Sequence, residues 1–174
     1  MSSSGTSPVT PPTKAPTISL VKGLLFGALG GLIGGLVIAP IGYAIPVPGM
    51  MGDPFFVNPP DMWKVSDKVA VGWTLLVVTS LIIGVIFGLL TTKTTTLKVT
   101  SVPKGLVLGA ITGIAVFILV FLPSEIPPMP GLASNTNFLV ESFGYNLLFG
   151  LILGAIVAGL SIMTLRKKPG KQLK

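Results

Sequence analysis

Long apolar stretches alternate with short polar segments along the chain, and this pattern predicts four membrane-spanning helices. The apolar stretches lie near residues 19–42, 69–91, 103–122 and 143–164. A helix needs about 20 apolar residues to cross the hydrocarbon core of a bilayer. Because a backbone amide in lipid must find its hydrogen bond within the chain, each stretch is expected to be helical. The predicted fold class is an all-α integral membrane protein with four transmembrane helices.

The composition favours a membrane protein over a soluble one. Only 10% of the 174 residues are charged, whereas soluble domains carry about 25%. The chain has no histidine and no cysteine, which removes disulfides, zinc–thiolate sites and imidazole catalysis. It also has no nucleophile elbow, phosphate loop or dinucleotide fingerprint. The sequence therefore predicts a protein that is not an enzyme and that holds no cofactor and no metal.

The distribution of charge predicts how the helices are oriented. One side of the predicted spans has ten basic residues and no acid: Lys14, Lys22, Lys93, Lys98, Lys104, Arg166, Lys167, Lys168, Lys171 and Lys174. The other side has five acids and two lysines: Asp53, Asp61, Asp67, Glu125 and Glu141, with Lys64 and Lys68. Since cytoplasmic segments are enriched in Lys and Arg, both termini are expected in the cytoplasm of a multi-pass cell-membrane protein. No aromatic residues are interleaved with the basic ones, so no nucleic-acid partner is expected.

These assignments divide the chain into three cytoplasmic segments and two helical hairpins. The cytoplasmic segments are a flexible Ser/Thr/Pro-rich tail, a basic linker and a basic tail, at residues 1–17, 93–102 and 166–174. The hairpins lie at residues 18–92, with an outer loop at 43–68, and at residues 103–165, with an outer loop at 123–142.

The two predicted hairpins resemble each other in sequence. Residues 22–49 align with residues 104–131 without gaps at an offset of 82, and Lys, Gly and Pro-x-Pro-Gly positions coincide. The second helices match at a shorter offset of 72, through Gly72/Gly144 and Leu75/Leu147. Because each unit has two spans, a duplication would give two parallel repeats in the same orientation.

Glycines recur at every fourth residue within the spans. Residues four apart lie on one face of a helix, and a face without side chains lets two helices approach closely in lipid. The predicted helix-packing residues are Gly23, Gly27, Gly31, Gly35, Gly84, Gly88, Gly105, Gly109, Gly113, Gly150 and Gly154. The alternative is a lining that leaves room for a solute. Gly30 and Gly34 add a second smooth strip to the first span, which would suit a different helix, including one from another protein.

The predicted membrane interior has no acidic residue. Its polar side chains are Thr74, Thr79, Ser80, Thr112 and Asn146. The hydroxyls are expected to bond back to their own helices. The Asn146 amide either bonds to another helix or lies at the interface beside Tyr145. Carriers driven by protons or sodium usually need buried charges, so the sequence disfavours them.

The outer loops are rich in proline and aromatic residues. They predict a docking surface for an extracytoplasmic partner domain, formed by Pro48, Met50, Phe55, Phe56, Trp63 and Pro130. The alternative is a pair of loops folded over their own helix ends. Four methionines on this side have sulfur that favours copper(I), but methionine is also a common apolar filler: Met50, Met51, Met62 and Met129.

The spans also carry a family resemblance. The second span ends in IGVIFGLL at residues 83–90, and the last span reads GYNLLFGLILG at residues 144–154. With the glycine-rich first span and the proline-bearing outer loop, this layout resembles small four-span membrane proteins of bacteria and archaea whose function is uncharacterised. The resemblance implies the four-span topology and brings no activity. Members often have a histidine where this chain has Asn146, so no ligand role is carried over to that position.

Two functions are compatible with these patterns. The first is a non-catalytic accessory or structural subunit of a larger membrane complex, of the respiratory or membrane-oxidase type. Its partners would be the lipid bilayer and other integral-membrane subunits. The second is a small oligomeric channel or facilitator for a neutral solute, to which the glycine faces would give room.

Overall fold

The computed structural model describes residues 17–44, 68–127 and 130–166, and within these ranges it is helical without a strand. It contains four helices that are long and apolar enough to span a membrane. The elements, in chain order, are α1 (Leu20–Ala44), α2 (Lys68–Lys93), α3 (Val102–Val116), a π-helix (Phe117–Phe121), α4 (Leu122–Glu125), a 3-10 helix (Pro130–Ser134) and α5 (Thr136–Arg166). The all-α class and the four long apolar helices are thus confirmed.

The third span is one continuous helix with a wide turn inside it. It begins at Val102 after the N-cap Ser101, whose side chain accepts a hydrogen bond from the Lys104 amide, and Pro103 occupies the first turn. The π-helix ends two residues before Pro123, and the Leu122 amide donates to the Phe117 carbonyl, five residues earlier. Because a proline has no amide hydrogen and crowds the carbonyl four residues before it, the local widening relieves that clash.

The fifth helix is longer than the sequence pattern indicates. The apolar run begins near residue 143, but α5 begins at Thr136, after Asn135 accepts a hydrogen bond from the Phe138 amide at 3.1 Å. Its 31 residues extend about 46 Å at 1.5 Å per residue, beyond the ~30 Å hydrocarbon core. The outer loop predicted at 123–142 therefore contains α4, the 3-10 helix and the first turns of α5.

The four long helices pack in the order α2, α1, α5, α3. The inner helices α1 and α5 each have 39% of their most apolar segment buried, whereas α2 has 28% and the third span 22%. Leu153 and Phe138 of α5 are fully buried, in two clusters along the row. The outward sides are covered by large apolar residues, which suits contact with lipid acyl chains.

Helices α1 and α2 are in backbone contact along a glycine face. A Cβ added to Gly27 would meet the Gly84 carbonyl oxygen and come within 2.9 Å of the Gly88 Cα. On either side of this point, Gly23 lies against Thr92 and Gly31 lies against the Ser80 backbone. The antiparallel helices touch without intervening side chains.

Helices α3 and α5 make the same kind of contact. A Cβ added to Gly109 would meet the Gly150 carbonyl oxygen and come within 3.0 Å of the Gly154 Cα. Gly105 lies against Ala158, and Gly113 lies against the Asn146 carbonyl. The glycine faces therefore lie in the contacts between helices of this chain.

The two contacts share one register, which corrects the offset predicted for the second helices. Gly84 and Gly88 of α2 occupy the positions that Gly150 and Gly154 occupy in α5, an offset of 66 and not 72. The offset of 72 matched Gly144, which has no atom within 4 Å of an added Cβ and so lies outside the contact. Residues of the two second helices that are equivalent in the contacts are therefore 66 apart, and the offset of 72 aligns residues at different places in the two contacts.

The second smooth strip of α1 also has its partner within the chain. A Cβ on Gly30 would come within 2.9 Å of the Leu153 side chain, and one on Gly34 within 3.1 Å of the Phe149 ring. Both partners belong to α5. The strip that the sequence left open to another protein is thus covered by the fifth helix of the same chain.

Candidate functional site: a basic cleft at one end of the helix row

Antiparallel packing places the starts of α1 and α3 beside the ends of α2 and α5. We call this end of the row the basic end, because its charged side chains are Lys22, Lys93, Lys98, Lys104 and Arg166. Glu125 and Glu141, the acidic residues within the described ranges, lie at the opposite end. The two ends of the row therefore differ in charge.

A cleft of about 250 Å³ lies at the basic end, between α1, α2, α5 and the linker that follows α2. We call it the basic cleft. Its lining residues are Thr17, Ile18, Gly23, Thr91, Thr92, Lys93, Thr95, Lys98, Val99, Val157 and Ser161. The set combines two cations, several hydroxyls and an apolar inner wall.

Two threonines of the cleft have their hydroxyl hydrogens occupied by their own helix. Thr91 donates to the Phe87 carbonyl at 2.8 Å, and Thr92 donates to the Gly88 carbonyl at 2.7 Å. These hydroxyls therefore present only oxygen lone pairs to the cleft. Any hydrogen-bond donor for a ligand must come from other lining groups.

Ser161 is the most deeply placed polar side chain of the cleft that can act as a donor. It is only 3% exposed, and it lies on α5 beside the apolar wall formed by Val157 and Val99. Thr164, on the next turn, donates to the Leu160 carbonyl at 2.8 Å. Ser161 makes no such bond to any residue that the structure describes, so its hydroxyl hydrogen is available to a ligand.

The linker holds the mouth of the cleft in a defined shape. The Leu97 amide donates to the Thr94 carbonyl at 3.1 Å, and the Lys98 amide donates to the Thr95 carbonyl at 3.3 Å. These turns bring the half-buried Lys98 near the exposed Lys93, in the last turn of α2. The two lysines therefore lie beside a cleft whose inner wall is apolar.

The residues predicted from the sequence lie mostly elsewhere. Of the helix-packing glycines, Gly23 alone also lines the basic cleft. Pro130 opens the 3-10 helix. The other predicted docking residues, Pro48, Met50, Phe55, Phe56 and Trp63, lie outside the described residues, as do Met51, Met62 and Met129. Across the described ranges, no cluster of His, Cys, Asp or Glu side chains could hold a metal ion.

The polar residues of the spans bond mainly to their own helices. Thr74 donates to the Ala70 carbonyl at 2.8 Å and Thr112 to the Leu108 carbonyl at 2.9 Å, as predicted. The Asn146 amide donates to the Ser142 carbonyl at 2.8 Å. The structure therefore does not have the alternative arrangement, in which this amide bonds to a neighbouring helix.

The opposite end holds polar atoms in segments that the sequence pattern assigns to a loop. Glu125 ends α4 and is 6% exposed. Glu141 and Ser142 lie in α5, each with a buried side-chain oxygen that has no hydrogen-bond partner within the described part of the chain. Both acids lie outside the predicted spans at 103–122 and 143–164, in parts of the helices that extend past these apolar segments.

The basic cleft was not predicted from the sequence, although a signal is present. Residues 91–98 read TTKTTTLK, a run of hydroxyl and cationic side chains at the end of an apolar span. A basic linker is an ordinary sign of topology. The concentration of threonine around two lysines is the additional feature, and it indicates an unusually polar helix end.

Comparisons with protein-family models, curated protein sequences and solved structures gave no match to this chain. The resemblance to small four-span proteins of bacteria and archaea therefore stays a prediction. The four long apolar helices are consistent with the class of multi-pass membrane proteins.

Proposed function

We propose that the chain is a non-catalytic integral-membrane subunit of a larger membrane assembly, such as a respiratory or membrane-oxidase complex. Both termini lie in the cytoplasm, and the two hairpins are parallel repeats. The separation of charge between the ends of the row supports this orientation. The shared register of Gly27/Gly84 and Gly109/Gly150 supports the repeat.

The free side of α5 carries the subunit proposal. Gly144, Ala155 and Gly159 lie on broadly the same side of this helix, at spacings close to whole turns. An added Cβ at Gly144 or Gly159 would meet no heavy atom within 4 Å. Small residues on a lipid-facing side allow a further helix to approach closely, which is how helices associate in membranes. We call this surface the free side of α5.

The decisive experiment compares bulky substitutions on the free side with bulky substitutions elsewhere. Gly144→Leu with Gly159→Leu places side chains on the free side, while Val107→Phe with Ile111→Phe adds bulk to the exposed face of α3. Each protein is extracted gently from its native membrane, and co-purified membrane proteins are quantified by mass spectrometry. Foreign subunits should be stoichiometric with the unmodified chain, reduced with the glycine pair, and unchanged with the control.

Two outcomes contradict the proposal. One is purification of the unmodified chain with copies of itself alone, together with flux of a neutral solute through liposomes, as expected of a facilitator. The other is equal loss of partners from both double variants, since loss from the α3 face would show that added bulk in general causes it. Thermal unfolding of each variant separates both outcomes from misfolding.

A further inference from the structure

We propose that the basic cleft binds a phosphate group, and that its source is the headgroup of an anionic phospholipid. The inference does not depend on the subunit proposal, because it uses a different surface and a different ligand.

Uncompensated positive charge is the first reason. Lys93 and Lys98 line the cleft, and the residues that line it with them are either hydroxyl-bearing or apolar. Both acidic residues in the described ranges, Glu125 and Glu141, lie at the far end of the row. Cations without a carboxylate partner attract anionic lipid, and basic pockets between membrane helices are known to hold such headgroups.

The available donors are the second reason. Thr91 and Thr92 donate their hydroxyl hydrogens to their own helix, so the donors among the other lining side chains include the lysine ammonium groups and the Ser161 hydroxyl. Phosphate oxygens accept hydrogen bonds and do not donate them when ionised. A buried serine hydroxyl together with two ammonium groups suits such an acceptor. A cationic ligand would be repelled by the same lysines.

Shape and polarity are the third reason. Val99 and Val157, which are 3% and 2% exposed, form an apolar wall inside the polar mouth. The volume of about 250 Å³ leaves room for a headgroup phosphate. A phospholipid suits both the polar mouth and the apolar wall, because its headgroup can enter the cleft while its acyl chains remain along the helices.

The test counts lipid retained by purified protein. The full chain is reconstituted in nanodiscs of phosphatidylcholine with a minor fraction of phosphatidylglycerol. The protein is then released from the nanodiscs, and the lipids that stay bound to it are identified and counted by native mass spectrometry. Lys93→Gln with Lys98→Gln removes both cleft cations. Lys104→Gln with Arg166→Gln is the matched control, because it removes the same charge from the basic end without altering the cleft lining.

The expected result is preferential retention of phosphatidylglycerol. The cleft variant should bind it about thirty-fold more weakly, from the contribution of two lysines at a membrane surface. The control should remain within about threefold of the unmodified protein. Ser161→Ala, which leaves the charge unchanged, should weaken retention about tenfold through loss of one hydrogen bond to a charged group.

Inorganic phosphate distinguishes the two sources of the ligand. Thermal stabilisation by millimolar phosphate that needs Lys93 and Lys98, without preference for phosphatidylglycerol, keeps the phosphate site and overturns the lipid source. Equal retention of phosphatidylcholine and phosphatidylglycerol, without a phosphate effect, overturns the proposal. So does equal weakening by the cleft variant and the control, because long-range charge would then explain retention. Unfolding temperatures within a few degrees of the unmodified protein confirm that the variants are folded.

Discussion

Gly109 and Gly150 each leave no room for a side chain on the other: a Cβ added to either residue would meet the backbone carbonyl oxygen of the other. Gly27 and Gly84 have the same reciprocal relationship in the other helix pair. At such points the separation of two helices is set by backbone atoms, whose Cα–H groups lie near facing carbonyls. Lipid supplies little hydrophobic drive for helix association, so close packing of this kind provides much of the attraction.

Gly109→Ala should destabilise the chain by about 1–3 kcal/mol. The added methyl group has no room, and the obstacle is a backbone carbonyl that cannot rotate away, so α3 and α5 must separate. The free energy of unfolding can be measured by steric trapping in bicelles. Gly109→Leu should prevent the second hairpin from assembling.

Gly159→Ala is the matched control for this prediction. It makes the same change within a helix of the same chain, but an added Cβ there meets nothing within 4 Å. Since alanine is also the better helix former by about 1 kcal/mol, stability should stay the same or rise slightly. Equal destabilisation at both positions would show that the close contact at Gly109 is not the cause.

The contact between α1 and α5 should respond to compensating changes, because one side of it is a side chain. Gly34→Ala brings a Cβ within 3.1 Å of the Phe149 ring, and Phe149→Leu makes space for it. The double variant should be more stable than the sum of the single effects by at least about 0.5 kcal/mol. A double-mutant cycle of unfolding free energies measures this coupling.

Gly31 provides the contrast for that cycle. Its nearest neighbours are backbone atoms of Ser80 and Gly84, so no side-chain truncation can make space. Gly31→Ala combined with Phe149→Leu should therefore give additive losses. Coupling of equal size in both cycles would mean that α1 shifts as a whole, contrary to a local contact at Gly34.

Phe138→Ala should cost about 3 kcal/mol, at the low end of the range for buried phenylalanine in soluble proteins. Phe138 is fully buried, and its ring centroid lies 5.7 Å from that of Phe121. The cost comes from lost packing, because the exposed state in lipid is also apolar. Val140→Ala, at a residue that is 63% exposed, should change the unfolding free energy by less than about 0.5 kcal/mol. Equal losses of unfolding free energy in Phe138→Ala and Val140→Ala would show that the packing around Phe138 does not stabilise the fold.

Much of the fold could be predicted from local pattern, because the membrane requires long apolar helices and glycine periodicity marks their packed faces. The helix that packs against each of these faces could not be predicted. Gly30 and Gly34 form a smooth strip whether the next helix belongs to this chain or to another, and only the three-dimensional packing identifies Phe149 and Leu153. The start of α5 was also missed, since the cap at Asn135 precedes the apolar run by several residues.

The basic cleft could not be predicted because its lining comes from distant parts of the chain. Thr91 and Lys98 are close in sequence, but Ser161 reaches the cleft only because α5 packs against α1. The threonine run indicates a polar helix end. It does not indicate a recess, which depends on the lengths of three helices at once.

The orientation can be tested directly, because the chain contains no cysteine. Thr96→Cys places a thiol in the exposed linker at the basic end, and Asn58→Cys places one in the outer loop that the sequence predicts at residues 43–68. The positive-inside rule predicts that a membrane-impermeant maleimide labels Asn58→Cys in intact cells and labels Thr96→Cys only after permeabilisation. Leu81→Cys, in the middle of α2, should stay unlabelled until denaturation. Labelling of Thr96→Cys in intact cells, with protection of Asn58→Cys, would reverse the topology and place the basic cleft on the outer surface.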